Sequence, residues 1–147
     1  MTYEEAVQAI PAGRYRHFKG NDYEVVCIAK HSEDDEPVVV YRALYGDYGI
    51  WVRPAKMWHE TVIRDGVTYR RFYRLDRIRR VERYEGLFQE ALKCPEIEKV
   101  RLLQEYYASG EWQDDHDADQ NGELPPSLKR DVLSPEAISG ILAGFQT

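Results

Sequence analysis

Basic, aromatic and histidine side chains are concentrated between residues 13 and 54. Arginine offers a planar fork of donors that fits phosphate, and aromatic rings stack on nucleobases, so this mixture is typical of sites for nucleotides or single-stranded nucleic acid. The residues that we predict to bind such a ligand are Arg16, His17, Lys19, His31, Tyr41, Tyr45, Trp51, Arg53 and Trp58. Arg53 is the residue to substitute first in a test, because an arginine close to a tryptophan offers both stacking and bidentate hydrogen bonding.

Strand alternation divides these side chains between two roles. Residues i and i+2 of a strand lie on the same face, which puts Tyr15 and His17 on one side of the first strand and Arg16 on the other. One face of a small barrel must fill its core in any case, and arginines then solvate the opposite face. Part of this segment therefore has a structural role, whatever else it does.

Residues that could catalyse a reaction are few. The histidines match no metal-ligand spacing, and no phosphate loop, dinucleotide fingerprint or nucleophile elbow occurs, so we predict neither a metal nor a cofactor. Cys27 and His31 are about 13 Å apart along a strand, too far for a Cys–His dyad. We interpret Cys27 as a small buried hydrophobe. No catalytic residue is assigned, and His17 is the only candidate base if the protein is an enzyme.

The first half of the chain has the pattern of short strands that would position these residues. The Thr2-Tyr3-Glu4-Glu5 capping box predicts a short helix over residues 3–10. From residue 14 to residue 75, segments rich in Val, Ile and Tyr alternate with turns, and the Asp65-Gly66 pair predicts a hairpin. About five short strands in roughly 60 residues favour a small closed or nearly closed barrel.

After residue 75 the hydrophobic period changes to that of a helix. Val81, Tyr84 and Phe88 fall on one helical stripe, and Pro95 stands where a second helix could begin. Ser134-Pro135 opens a last helix that ends near residue 144. We predict that the polar stretch 113–130 is irregular.

Charge changes at the same place. Residues 1–80 carry 14 basic and 12 acidic side chains and residues 81–147 carry 6 and 14, which gives net charges of +2 and −8. This asymmetry indicates two modules, and we predict a short helix over 1–12, a β domain over 13–76 and a helical, acidic domain over 77–147. The acidic stretch is either solvated or docked against the arginines between residues 70 and 80.

The composition predicts a cytoplasmic globular protein. No apolar run approaches the roughly 18 residues that a membrane span requires, and the first ten residues carry glutamates where a signal peptide carries basic residues. The two cysteines, Cys27 and Cys94, belong to no CxxC pair, so neither a disulfide framework nor a zinc site is expected.

Several ordered motifs resemble known families. GRYRHFKG (13–20), AKHS (29–32), VVYRALYGDYG (39–49) and WVRP (51–54) are together similar to a bacterial family, domain of unknown function 1653, over about residues 13–75. This resemblance implies a compact SH3-like β-barrel and no established activity. Segments such as LKRDVLS (128–134) resemble a second, helical family, domain of unknown function 4298. The predicted fold class is therefore α+β, with a small SH3-like β-barrel followed by a helical C-terminal region.

We expect a non-enzymatic binding module of a bacterial cytosolic protein. The leading hypothesis is that a face with Arg16, His17, Lys19, His31 and Arg53 holds a small anionic, nucleotide-like ligand or a nucleic-acid end, since the net charge of −6 disfavours a long nucleic-acid track. The alternative is a protein-interaction adaptor that uses an aromatic groove of the barrel, and the third hypothesis is an enzyme with a histidine base. The motifs define neither the ligand nor the oligomeric state.

Overall fold

The computed structural model describes residues 1–144, which form two compact units that divide between residues 76 and 77. The strands of the described residues lie in the first unit, together with two short helices, and the second unit is helical. The predicted α+β class is confirmed. Within residues 1–144, no helix has the length and apolar character needed to cross a membrane.

The first unit begins with a helix and continues mainly as short strands. Its elements are α1 (Tyr3–Ala9), β1 (Gly13–His17), β2 (Asp22–Lys30), β3 (Pro37–Ala43), β4 (Ile50–Pro54), α2 (Ala55–Trp58), β5 (Thr61–Arg64), β6 (Val67–Arg70) and β7 (Phe72–Arg74). The capping box predicted for α1 is present, because the Glu5 N–H donates a hydrogen bond to Thr2 Oγ1 at 3.1 Å.

Five strands form an antiparallel sheet in the order β4-β3-β2-β1-β7, and β5 and β6 form a separate hairpin. Asp65 and Gly66 make the hairpin turn that the sequence predicts, with φ values of 51° and 76°. Strands β4 and β7 each pair with one strand, so the backbone ladders of the described residues do not close into a barrel. The chain leaves the sheet at α2, directly after β4. Arg71 separates β6 from β7, and its N–H donates a hydrogen bond to the Glu60 carbonyl at 3.0 Å.

The inner face of this sheet carries the core of the first unit. Side chains that alternate along β1, β2 and β3 are joined there by residues of the two short helices. The buried residues of this core are Ala6, Ile10, Tyr15, Val25, Val39, Tyr41, Ala55, Trp58 and Phe72. At its centre the ring of Trp58 stacks on that of Phe72, with centroids 3.6 Å apart and planes 5° from parallel.

A β-bulge in β2 decides which side chains face this core. The register with β3 shifts between Val25 and Cys27, so that Val25 is buried whereas Cys27 pairs with Val40 and is exposed. The prediction that Cys27 is a buried hydrophobe is therefore wrong. One extra residue in a strand reverses the face of every later side chain, and the sequence carries no clear mark of it.

The second unit consists of helices and one short 3₁₀ turn. Its elements are α3 (Leu75–Lys93), α4 (Ile97–Ala108), α5 (Glu111–Gln120), the 3₁₀ turn (Asp131–Leu133) and α6 (Pro135–Gly144). Val81 and Phe88 of the predicted stripe are buried in its core, with Leu103 and Ile138 from later helices. Pro95 lies between α3 and α4, as the sequence suggested.

The prediction that residues 113–130 are irregular is wrong for α5. Gly110, with φ of 91°, precedes this helix, and Trp112, Asp115 and Ala118 follow at intervals of three residues and are all buried. The spacing is helical, but its middle member is a carboxylate. Because a buried aspartate interrupts the apolar stripe, a pattern that scores hydrophobic residues misses the helix.

Candidate anion-binding site

Strands β1 and β7 bring several rings together at one end of the inner face. His17 pairs in register with Phe72, and their ring centroids are 5.0 Å apart. The ring of Phe18 is 4.6 Å from that of His17, and the ring of Tyr23 is 6.5 Å from it. We call this group the His17 patch, and its members are His17, Phe18, Lys19, Tyr23, Tyr45, Arg53, Arg64, Arg71 and Phe72.

Arg53 reaches the His17 patch from β4. It pairs in register with the buried Val39, so its side chain lies on the inner face of the sheet. The guanidinium carbon is 5.9 Å from the centroid of the Phe72 ring, within the range of a cation–π contact. Among residues 1–144, no carboxylate forms an ion pair with Arg53.

Two further cations lie against Phe18. Lys19 Nζ is 5.9 Å and Arg64 Cζ is 5.4 Å from the centroid of its ring. Neither cation has a carboxylate partner in the described part of the chain. Arg71 differs, because it pairs with Glu60 at 3.4 Å. Of the four cations in the His17 patch, therefore, only Arg71 has a carboxylate partner among the described residues.

His17 is neutral and its tautomer is fixed by the chain. The Lys19 N–H donates a hydrogen bond to His17 Nδ1 at 3.1 Å, so Nδ1 is the acceptor and Nε2 carries the proton. Burial, followed by the charges of the nearby cations Arg71, Lys19, Arg53 and Arg64, lowers the pKa of His17 from its ordinary value of 6.5 to about 4. At neutral pH the imidazole is thus an N–H donor surrounded by positive charge.

A tyrosine pair adds hydroxyl donors beside these cations. The hydroxyls of Tyr23 and Tyr45 are 2.8 Å apart, and Tyr45 is 44% exposed. Burial, followed by the hydrogen bond to Tyr45, raises the pKa of Tyr23 to about 12. Since one hydroxyl donates to the other, the proton of the second is available to a ligand.

The donors of this site suit an anion better than a metal ion. Guanidinium, ammonium, imidazole N–H and hydroxyl groups all donate hydrogen bonds, whereas metal ions require lone pairs. Within residues 1–144, no three His, Cys, Asp or Glu side chains are grouped closely enough to hold a metal.

Two family profiles match the chain in succession. Residues 13–74 match a protein of unknown function (DUF1653), and residues 82–145 match a domain of unknown function (DUF4298). A solved DUF1653 protein from Bordetella bronchiseptica is 38% identical, over 45% of this chain and 87% of its own, with a TM-score of 0.42. The chain belongs to the DUF1653 family, with a DUF4298 segment behind it. Both predicted resemblances are confirmed. The search of curated proteins found no match to the chain.

Four of the nine predicted ligand-binding residues of the DUF1653 segment lie in the His17 patch. They are His17, Lys19, Tyr45 and Arg53. Tyr41 and Trp58 lie in the core with exposures of 8% and 3%. They therefore pack beneath the His17 patch, against Phe72, and cannot line an open groove.

Arg16 and His31 lie away from the His17 patch, and both have local partners. Arg16 is on the outer face of β1, where Nε donates to Asp22 Oδ1 at 2.8 Å. His31 lies in the turn between β2 and β3, where its Nδ1 accepts a hydrogen bond from the Glu33 N–H at 3.2 Å. Both side chains therefore stabilise turns or strand ends of the DUF1653 segment.

Five members of the His17 patch were not predicted from the sequence. They are Phe18, Tyr23, Arg64, Arg71 and Phe72. Arg64 and Arg71 come from the β5–β6 hairpin and its exit, and Phe72 comes from β7. The pairing of β1 with the distant β7 brings Arg64, Arg71 and Phe72 to His17, and no local sequence pattern predicts that pairing. The sequence signal that could have indicated one of them is the position of Arg64 directly before the Asp65-Gly66 turn.

The edge strand β4 is a second exposed feature of the DUF1653 segment. Ile50, Trp51 and Val52 are 58%, 59% and 66% exposed, although they are consecutive in a strand. Trp51 pairs in register with Tyr41 and so lies on the inner side with Arg53, whereas Val52 lies on the outer side with Val40. Trp51 is exposed because β4 is the edge of the sheet and, among the described residues, pairs with β3 alone.

Proposed function

We propose that the first unit binds a small, nucleotide-like anion or a nucleic-acid end at the His17 patch. The observation that carries this proposal is the set of cations Lys19, Arg53 and Arg64, which surround a neutral histidine and have no carboxylate partner among the described residues. Like charges held close together beside apolar rings repel one another, and a bound anion relieves this repulsion.

The aromatic members of the patch support a ligand that has a flat ring as well as a charge. Phe72 and the buried Trp58 stacked on it form a rigid base, and the exposed Tyr45 and Trp51 offer ring faces at the margin. Aromatic faces of this kind stack on nucleobases without sequence preference. The net charge of −6 favours a short ligand, which needs only the local cations, over a long nucleic acid.

The geometry of His17 favours binding over base catalysis. A general base needs a free lone pair directed at the substrate. In His17 the Nδ1 lone pair accepts the Lys19 N–H, and Nε2 carries the proton. The imidazole can therefore donate a hydrogen bond to an anion, and we do not assign it as a base.

Thermal unfolding with a panel of nucleoside monophosphates and short oligonucleotides tests this function. We expect at least one anion to raise the melting temperature of the wild-type chain, and Arg53→Ala to abolish the rise. Arg42→Ala is the matched control, because Arg42 lies in the same sheet, on the outer face next to Glu24 in register. If no anion stabilises the wild-type protein, the proposal is wrong.

The exposed strand β4 favours a second candidate function, that of a protein-interaction adaptor. An extended peptide can add to a free sheet edge through backbone hydrogen bonds, and the side chains beside that edge then select its sequence. Ile50, Trp51 and Val52 would provide that apolar surface, since Trp58 is buried and cannot contribute to the predicted aromatic groove.

A displayed library of strand-forming peptides separates this function from the first. Binding that persists in high salt and is lost in Val52→Lys supports the adaptor, because Val52 lies on the outer side of β4, away from Arg53. Ile63→Lys is the control, since Ile63 is 71% exposed on the separate β5–β6 hairpin. If no peptide loses binding to Val52→Lys while it still binds Ile63→Lys, the adaptor function is wrong.

A further inference from the structure

We infer that the group recognised by the His17 patch is the terminal phosphomonoester of a nucleotide, in preference to a phosphodiester or a carboxylate. This inference rests on the proposed function and specifies the charge and shape of its ligand. It follows from the balance of charge around His17, from the types of donor there, and from the position of Trp51 relative to Arg53.

The first step is the charge that a ligand must balance. Arg71, Lys19, Arg53 and Arg64 are the charged groups that act on His17, and all of them are cations. Glu60 pairs with one of them, Arg71, so the four cations and one carboxylate leave a net charge of +3. A phosphodiester carries about one negative charge and a phosphomonoester nearly two at neutral pH, so the monoester balances more of this excess.

The second step is the number and chemical type of the hydrogen-bond donors. Arginine guanidinium groups bind phosphate through two parallel N–H bonds, and a lysine ammonium adds a point charge. His17 contributes its Nε2–H without adding a positive charge, since its Nδ1 is occupied by the Lys19 N–H. A phosphomonoester has three terminal oxygens for these donors, whereas a carboxylate has two and a phosphodiester has two. The donor set therefore fits the terminal group best.

The third step is the ring that such a ligand would carry. Trp51 precedes Arg53 by two residues on β4, so both side chains lie on the inner side of the edge strand, about 7 Å apart along it. Trp51 is 59% exposed, and its ring face is available for stacking. A nucleotide whose phosphoryl group bonds to Arg53 can place its base on Trp51. Free phosphate would use only the first of these contacts.

Isothermal titration calorimetry of the full chain tests this inference with matched ligands. The probes are a nucleoside 5′-monophosphate, its methyl phosphodiester, the nucleoside, inorganic phosphate and benzoate as a ring-bearing carboxylate. A 5′-phosphorylated trinucleotide and its 5′-hydroxyl form show whether a strand end binds as well as a free nucleotide. We expect the monophosphate to bind at least about tenfold more tightly than the diester or benzoate, as a lost charge-assisted bond implies.

Three variants assign this preference to the residues. Arg53→Gln should weaken monophosphate binding about tenfold and reduce the preference over the diester, whereas Arg42→Gln should change neither. Trp51→Ala should weaken the monophosphate several-fold and leave inorganic phosphate unchanged, because phosphate does not need the ring. All three side chains are at least partly exposed, so the folded state tolerates these changes.

The outcomes separate the inference from the function on which it rests. Equal affinities for the monophosphate and its diester, or tighter binding of benzoate, would overturn the inference and leave an anion site in place. Equal loss of phosphate and monophosphate binding in Trp51→Ala would overturn the role of the ring. Failure of every anion to bind would overturn the proposed function as well.

Discussion

The two units both place arginines beside aromatic rings, but they treat the charges in opposite ways. In the second unit, Arg80 donates to both carboxylate oxygens of the fully buried Asp115, at 2.9 and 2.5 Å, and to Glu111 at 2.8 Å. Tyr106 donates to the same carboxylate at 2.6 Å. In the His17 patch, Arg53 lies over the Phe72 ring and has no carboxylate partner within residues 1–144. Composition alone does not distinguish these regions, whereas the pairing of each charge does.

The Asp115 cluster is a structural centre of the second unit. A charge removed from water is stable only when its hydrogen-bonding capacity is filled, and Asp115 receives donors from α3 and α4. Burial, followed by the hydrogen bond to Asp115, raises the pKa of Tyr106 above its ordinary value, which keeps that hydroxyl a donor. Within residues 1–144, Lys19, Arg53 and Arg64 of the His17 patch have no carboxylate partner, and we therefore assign them to a ligand.

The largest expected effect follows from breaking the Asp115 cluster. Asp115→Asn leaves Arg80 and Tyr106 with an uncharged partner in a buried site, and should lower the free energy of unfolding by about 3 kcal/mol. Urea denaturation measures this loss. Asp114→Asn, an exposed neighbour in α5, is the control and should change stability by less than about 0.5 kcal/mol. Equal effects of the two substitutions would show that the pairing is not structural.

The opposite response is expected in the His17 patch. The double substitution Lys19→Gln with Arg64→Gln should weaken binding of a nucleoside monophosphate by about tenfold or more. It should leave the free energy of unfolding within about 0.5 kcal/mol of wild type, or raise it, because it removes repulsion between like charges. Titration calorimetry and urea denaturation measure the two effects. A matched pair, Arg14→Gln with Lys56→Gln, removes the same charge elsewhere in the first unit and should preserve affinity.

His17 should make the first unit less stable in acid. Its pKa in the folded state, about 4, is lower than the ordinary value of 6.5, so the unfolded chain binds the proton more tightly. The stability contributed by His17 is therefore fully present above pH 6.5 and is lost as the pH falls towards 4. His17→Gln should reduce the loss of unfolding free energy between pH 7 and pH 4. An unchanged pH dependence in this variant would contradict the burial of the imidazole.

The smallest effect is expected for Val52→Lys on the exposed edge. Val52 is 66% exposed on the outer side of β4, so the substitution should change stability by less than about 0.5 kcal/mol. Affinity for a nucleoside monophosphate should also be unchanged, since Arg53 lies on the opposite side of the strand. A large loss of nucleotide affinity would mean that the ligand reaches across the edge of β4.

Local signals in the sequence predicted local structure well. The Thr2 capping box, the Asp65-Gly66 hairpin and the last helix are formed by residues close in sequence, and all three are present. The bulge before Cys27 was missed because it depends on the register of two strands. Helix α5 was missed because its buried stripe includes Asp115, whose partners lie on other helices.

The candidate site was only partly predictable for the same reason. His17, Lys19 and Arg53 stood out by residue type, and strand alternation correctly placed His17 opposite Arg16. Their convergence depends on the order β4-β3-β2-β1-β7, which determines the neighbours of His17. His31 is also a histidine within one of the motifs, but its side chain accepts a hydrogen bond within a turn and lies away from the site. Residue type identified candidates, and long-range pairing selected among them.

The most direct test of the account is the titration of the His17 imidazole by NMR, with and without saturating nucleoside monophosphate. We predict a pKa near 4 in the free protein, because burial and four neighbouring cations oppose protonation. A bound anion should raise this pKa, and Arg53→Gln should raise it in the free protein and diminish the response to the ligand. A pKa near 6.5 that neither the nucleotide nor Arg53→Gln changes would contradict an anion site at His17.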